Sequence, residues 1–159
     1  MKTLIVCVSV SHGNTKKIAD AMAGVLDATV VDPDDIDATA IADYDLVGVG
    51  SGIFGMAFHP RLRAFVRDLP RVHGKKSAFV FATRGGPKFT SRLYLARMER
   101  LLGSKGFELA GTFSCRGFDT WRPLQLVGGL NKGRPNEADL DAARSFAARL
   151  TRSRSHDHA

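Results

Sequence analysis

Apolar and polar positions alternate along the chain in blocks that predict short buried strands and amphipathic helices. Leu4 to Val8 is apolar throughout, as in a strand covered on both faces. From Thr15 the spacing changes, and Ile18, Met22, Val25 and Leu26 recur at helical intervals, predicting a helix that ends near Leu26. Thr29 to Val31 reads as a second strand stopped by Asp32-Pro33. The acidic stretch that follows, with Asp34, Asp35, Asp37 and Asp43, reads as a surface loop with at most a short helical turn around Ile41. Leu46 to Val49 is a third strand leading into a glycine-rich turn, Gly50 to Gly55. His59-Pro60 opens a helix whose inner face is Leu62, Phe65, Val66 and Leu69.

A fourth strand, Ala78 to Ala82, is expected to end in the turn Thr83-Arg84-Gly85-Gly86-Pro87. Thr90 or Ser91 can cap the next helix, with Tyr94, Leu95, Met98, Leu101 and Leu102 inward and Gly103 at its end. Phe107 to Phe113 makes a fifth strand. Ser114 to Pro135 has no regular period, although it carries Phe118 and Trp121, and a loop of that length implies a function or further structure. Asn136 caps the last helix, with Glu137 and Asp139 in its first turn and Leu140, Ala143, Phe146, Ala147 and Leu150 inward. The polar tail, residues 151–159, has nothing to bury and is expected to fray. Strands alternating with helices predict one α/β domain over residues 1–150, a mostly parallel sheet with helices on both faces.

The length of 159 residues suits one domain with its own core. No apolar run is long enough to cross a bilayer, and Met1-Lys2-Thr3 passes straight into strand pattern without a secretory signal, so a cytoplasmic protein is expected. Cys7 and Cys115 are far apart and in no metal or redox spacing; Cys7 reads as a small core residue. Formal net charge is +7, unevenly spread: residues 46–136 hold sixteen Lys/Arg against four acids, and the remainder seven against twelve. Such a field favours anionic ligands or acidic partners. The chain has no helix-turn-helix, zinc-finger or aromatic-studded basic strand pattern that would point to nucleic acid.

The candidate chemistry lies in turns that follow strands. Ser9, Ser11, His12, Gly13, Asn14 and Thr15 join the first strand to the first helix, and unpaired N–H groups at a helix N-terminus suit a phosphate. An ordinary capped turn would use the same residue types. Two glycine-rich turns, Gly50 to Gly55 and Thr83 to Pro87, allow close backbone approach to a flat ligand edge. In a parallel sheet of strand order 2-1-3-4-5 all three turns border one crevice. Gly50 to Gly55 also matches G-x-G-x-x-G, but it is not the first βα turn, and no acid closes the next strand, so a dinucleotide fingerprint is poorly supported.

These features together resemble the flavodoxin-like family. The resemblance rests on His12 to Thr15 after the first strand, the run Tyr44 to Phe54, and Ala82 to Pro87. It implies a five-stranded, doubly wound three-layer fold of order 2-1-3-4-5 and FMN as cofactor. By the same resemblance, Ser9, Ser11, His12, Gly13, Asn14 and Thr15 would form the phosphate site. Ser51, Gly52, Ile53, Phe54 and Gly55 would border the ring with Thr83, Arg84, Gly85 and Gly86, and Trp121 could stack on it. No side chain is assigned as an acid or base. The implied function is electron carriage on the flavin. The alternatives are an FMN-dependent oxidoreductase of a small quinone or porphyrinogen, and a flavodoxin fold without cofactor that acts in interaction. The basic surface points to a redox partner with an acidic face.

Overall fold

A computed structural model describes residues 1–10, 12–117 and 131–156. Strand β1 (Thr3–Val8) leads to α1 (Asn14–Leu26), β2 (Thr29–Val31), β3 (Leu46–Phe54) and β4 (Ala57–Phe58). Then come α2 (Pro60–Asp68), β5 (Ser77–Arg84), α3 (Ser91–Ser104), β6 (Glu108–Arg116) and α4 (Glu137–His156). The principal strands are parallel in the order β2-β1-β3-β5-β6, with β4 pairing only β3. Counting the parallel strands alone, this is the expected order 2-1-3-4-5.

The sheet carries a core on each face. On one, α2 and α3 pack Leu62, Phe65, Val66, Met98 and Leu102 onto Leu4, Val6, Val47, Val49 and Val80. On the other, α1 and α4 pack Ile18, Met22, Ala143 and Phe146 onto Ile5, Cys7, Phe79 and Phe81. Glycines in β3 make the second face possible. A Cβ at Gly48 would stand 2.3 Å from the Phe79 ring, and one at Gly50 2.3 Å from the Phe81 ring. Both rings therefore lie across the bare backbone of β3.

Several boundaries differ from expectation. Gly50 to Phe54 is strand, because β3 continues past Val49 and folds back on β4. The hairpin turns on Gly55 and Met56, whose φ values of +54° and +64° match a two-residue type I′ turn. Thr83 and Arg84 likewise belong to β5, paired in register with Cys115 and Arg116. Ser114 to Arg116 extend β6 beyond Phe113, and Gly103 lies inside α3. Val25 is exposed although its spacing matched the buried face of α1.

The helical turn around Ile41 is present with a second one before it: residues Pro33–Asp35 and Ala38–Asp43 form 3-10 turns capped by the Asp32 and Asp37 carboxylates. Asn136 caps α4 as expected, in a reciprocal box with Asp139: Asp139 N–H donates to Asn136 Oδ1 at 3.0 Å, and Asn136 N–H to Asp139 Oδ2 at 2.8 Å. The helix then runs through Leu150 to His156, where a frayed tail was expected, since extending a formed helix adds a hydrogen bond per residue without a new nucleus.

Candidate functional site

The carboxyl ends of β1, β3 and β5 bring together the three segments singled out in the sequence. After β1 the chain enters α1 through His12 and Gly13, both at positive φ, +51° and +64°. Histidine is among the residues that adopt this region more readily than most. Gly13 at the N-cap offers α1 no side chain, and no acid stands in the first turn, which instead carries Lys16 and Lys17. That charge arrangement opposes the helix dipole and suits an anion at the N-terminus. Lys16 pairs with Asp20 at 2.6 Å, and its backbone N–H donates to Ser9 Oγ at 3.2 Å.

Two residues of this turn point inward. Asn14 and Thr15 are buried, and the Thr15 and Thr83 hydroxyl oxygens lie 2.7 Å apart across the β1–β5 gap. Two hydroxyls supply two hydrogens, and their mutual bond uses one. The other remains for a third acceptor, an oxygen atom with lone pairs. Gly117, following β6, closes over Asn14: a Cβ there would fall 2.8 Å from Asn14 Nδ2.

Arg84 is the unusual charge. It is 8% exposed, its Nη1 donates to the Gly86 carbonyl at 2.6 Å, and its Nε reaches Ser114 Oγ at 3.4 Å. No carboxylate pairs with it among the described residues, whereas buried guanidinium groups ordinarily have one. Asn131 secures the adjoining turn by donating from Nδ2 to the Gly85 carbonyl at 3.1 Å, and Gly117 N–H donates to the Arg84 carbonyl at 3.0 Å. Ser114, Gly117 and Asn131 were not named as site residues from the sequence, although all three lie in the stretch Ser114 to Pro135 whose length implied a function.

The β3 segment has a different character. Ser51 is fully buried, and its hydroxyl donates to the Gly52 carbonyl at 2.7 Å while accepting from His59 N–H at 2.9 Å. It therefore ties the strand end to the start of α2. Gly52 and Ile53 are half-buried and Phe54 is exposed, its ring edge-on to His59 at 5.6 Å. Gly55 and Gly86 are exposed at turn tips, while Gly85 is half-buried. Ser11 and Trp121 lie outside the described residues. Burial pushes the Cys7 and Cys115 thiols up to about 12, so both stay protonated and unreactive.

A helix N-terminus with glycine at its N-cap, a hydroxyl pair with a spare hydrogen and a buried cation with no carboxylate among the described residues meet at the strand ends of a doubly wound sheet, an arrangement that suits an anion. The residues present fit a flavin mononucleotide. Among solved structures, the chain superposes on oxidised flavodoxin 1 of Bacillus cereus with a TM-score of 0.71 at 18% identity, covering 95% of this chain and 98% of that one. Rubredoxin oxygen:oxidoreductase of Desulfovibrio gigas contains the same fold, matched at TM-score 0.71 and 18% identity over 99% of this chain and 37% of that one. An uncharacterized protein of Methanocaldococcus jannaschii is 40% identical over 92% of this chain and 96% of its own length. Residues 5–113 match the family described as flavodoxin domain, and the chain belongs to that family of flavin-binding domains. No helix among the described residues is long and apolar enough to cross a membrane.

Proposed function

We propose that this protein binds FMN in the crevice and carries electrons on it. The observation that supports the reading most directly is Arg84, a buried guanidinium with no carboxylate among the described residues. A bound anion would supply the missing negative charge. Bound FMN supplies reversible electron uptake at its ring, with negative charge growing there on reduction. Arg84 favours the more negative state and so raises the reduction potential. The amides at the start of α1 and the spare hydrogen of the Thr15–Thr83 pair would hold the phosphate. His12, exposed beside them, would add a donor. Gly52 and Ile53, with Gly85 and Gly86, would border the ring.

The redox partner is proposed to present an acidic face, matching the basic residues between positions 46 and 136. Binding is tested by the visible spectrum of the purified protein and by titrating FMN fluorescence. The reading requires a yellow protein, or quenching of added FMN at micromolar protein; failure of both overturns it. Turnover of a nicotinamide donor with a quinone acceptor would make the protein an oxidoreductase and not a carrier.

A further inference from the structure

On the opposite side of α2 from its acid-paired arginine, a groove of about 240 Å³ opens between α2, α3 and the β4 hairpin. Its apolar wall comes from Phe58, Met98 and Leu101. Its mouth is set with three guanidinium groups, from Arg63 and Arg67 one turn apart on α2 and Arg97 on α3.

These arginines differ from the others that are pinned by acids. Arg61 is held by Asp32 at 2.8 Å, Arg134 by Asp139 at 2.5 Å and Arg144 by Glu137 at 2.8 Å. At the groove, Arg63 gives its Nε to the Phe58 carbonyl at 3.0 Å, which fixes the side chain, and its terminal nitrogens have no partner among the described residues. Arg67 approaches Asp68 no closer than 3.7 Å, and both are exposed. Arg97 has no ion pair among the described residues. Three like charges around one small opening repel, and an anion between them reverses the sign of that interaction.

Tyr94 adds a second observation. Its ring lines the groove edge-on to Phe58 at 5.8 Å, and its hydroxyl is buried beside Ser91. Neighbouring Ser91 gives its own hydrogen to the Lys88 carbonyl at 2.5 Å. With its own hydrogen used, Ser91 Oγ is left as the acceptor for the Tyr94 hydroxyl, so the polar contacts of the groove come from the arginines.

The size decides between a ligand and a partner surface. The groove has the volume of about eight water molecules, enough for one ring with a short tail. We propose that the α2–α3 groove is a second binding site, separate from the crevice, for a compact organic carboxylate: an aromatic or branched apolar body seated on Phe58, Met98 and Leu101, with its carboxylate among Arg63, Arg67 and Arg97.

The probe is 3-phenylpropionate, titrated into the full chain with excess FMN present and followed by NMR. The methyl groups of Met56 and Met98 and the ring of Tyr94 should shift together and saturate, while Thr15 and Thr83 stay unmoved. Arg97→Gln, at an exposed position, should weaken binding about tenfold, the factor expected of one charge-assisted hydrogen bond, and the neutral 3-phenylpropanol should bind about tenfold more weakly than the acid. The proposal is overturned by equal affinity for the alcohol, which would mark an apolar slot for a partner's side chain. No saturation by about 20 mM, an unchanged Arg97→Gln affinity, or shifts confined to Thr15 and Thr83 would overturn it too.

Discussion

The hydroxyl pair Thr15–Thr83 joins residues 68 positions apart, and its energetics can be isolated by replacing each threonine with isosteric valine. Both side chains are buried, at 2% and 5% exposure, so each hydroxyl relies on the other for its shared hydrogen bond. Thr15→Val leaves the Thr83 hydroxyl stranded, and Thr83→Val strands that of Thr15. Each single change should cost about 1–3 kcal/mol, the desolvation penalty of an unsatisfied buried hydroxyl. The double variant removes both polar groups while keeping their shape, so it should be close to neutral and more stable than the sum of the singles by at least ~1 kcal/mol. Urea unfolding of the apoprotein gives the four free energies directly. Strict additivity would refute the argument, because it would mean that the two hydroxyls do not rely on each other. The same four proteins test the proposed phosphate contact: the double variant should lose FMN affinity about tenfold or more while its riboflavin affinity, lacking a phosphate, changes little. Equal loss for both ligands would make the pair purely structural.

Gly48→Ala should destabilise the protein by about 2–3 kcal/mol through overpacking, because its Cβ meets a Phe79 ring already hemmed in by Phe81 at 6.1 Å and Phe146 at 5.9 Å. An unchanged urea midpoint would contradict that packing. In the FMN-loaded protein, Arg84→Gln should lower the reduction potential by on the order of 60 mV, a tenfold change for one electron, read by spectroelectrochemistry. A potential that does not move places the guanidinium away from the ring. His59 caps α2 by accepting Arg61 N–H on Nδ1 at 3.2 Å. Burial, helped by Arg61 and Arg63 and opposed by Asp32, holds its pKa below the ordinary 6.5. Folded His59 therefore takes up a proton less readily than unfolded His59, so its contribution is complete above 6.5 and is lost as pH falls through the lower folded value. His59→Asn keeps a capping side chain without the titration, and its stability relative to the parent should rise between about pH 7 and pH 5. A constant difference across that range would show that the proton does not act through the cap.

Local physics made much of this architecture legible in the chain itself. Helix faces such as Ile18–Met22 and Ala143–Phe146 repeat at the period of the helix, and caps such as Asn136 act within three residues. The order of strands and helices follows from such short-range patterns, and the candidate turns could be named because glycine, serine and threonine there mark special backbone. Strand ends were less legible. β3 was expected to stop at Val49 because glycines usually break strands, but Gly48 and Gly50 instead make room for phenylalanines some thirty residues later in the chain. β6 carries a bulge opposite Ala78 and Phe79, which shifts its register partway along.

What tertiary structure alone decided is which polar groups meet and which are left without partners. A sequence names Arg61, Arg84 and Arg97 as the same residue type. Folding gives the first two aspartates, encloses the second with carbonyl and hydroxyl oxygens, and leaves the third at the mouth of an apolar groove. Thr15 meets Thr83 only because parallel strands bring distant strand ends to one edge. Burial and charge pairing depend on neighbours far along the chain, so the crevice and the groove exist only once the sheet has assembled.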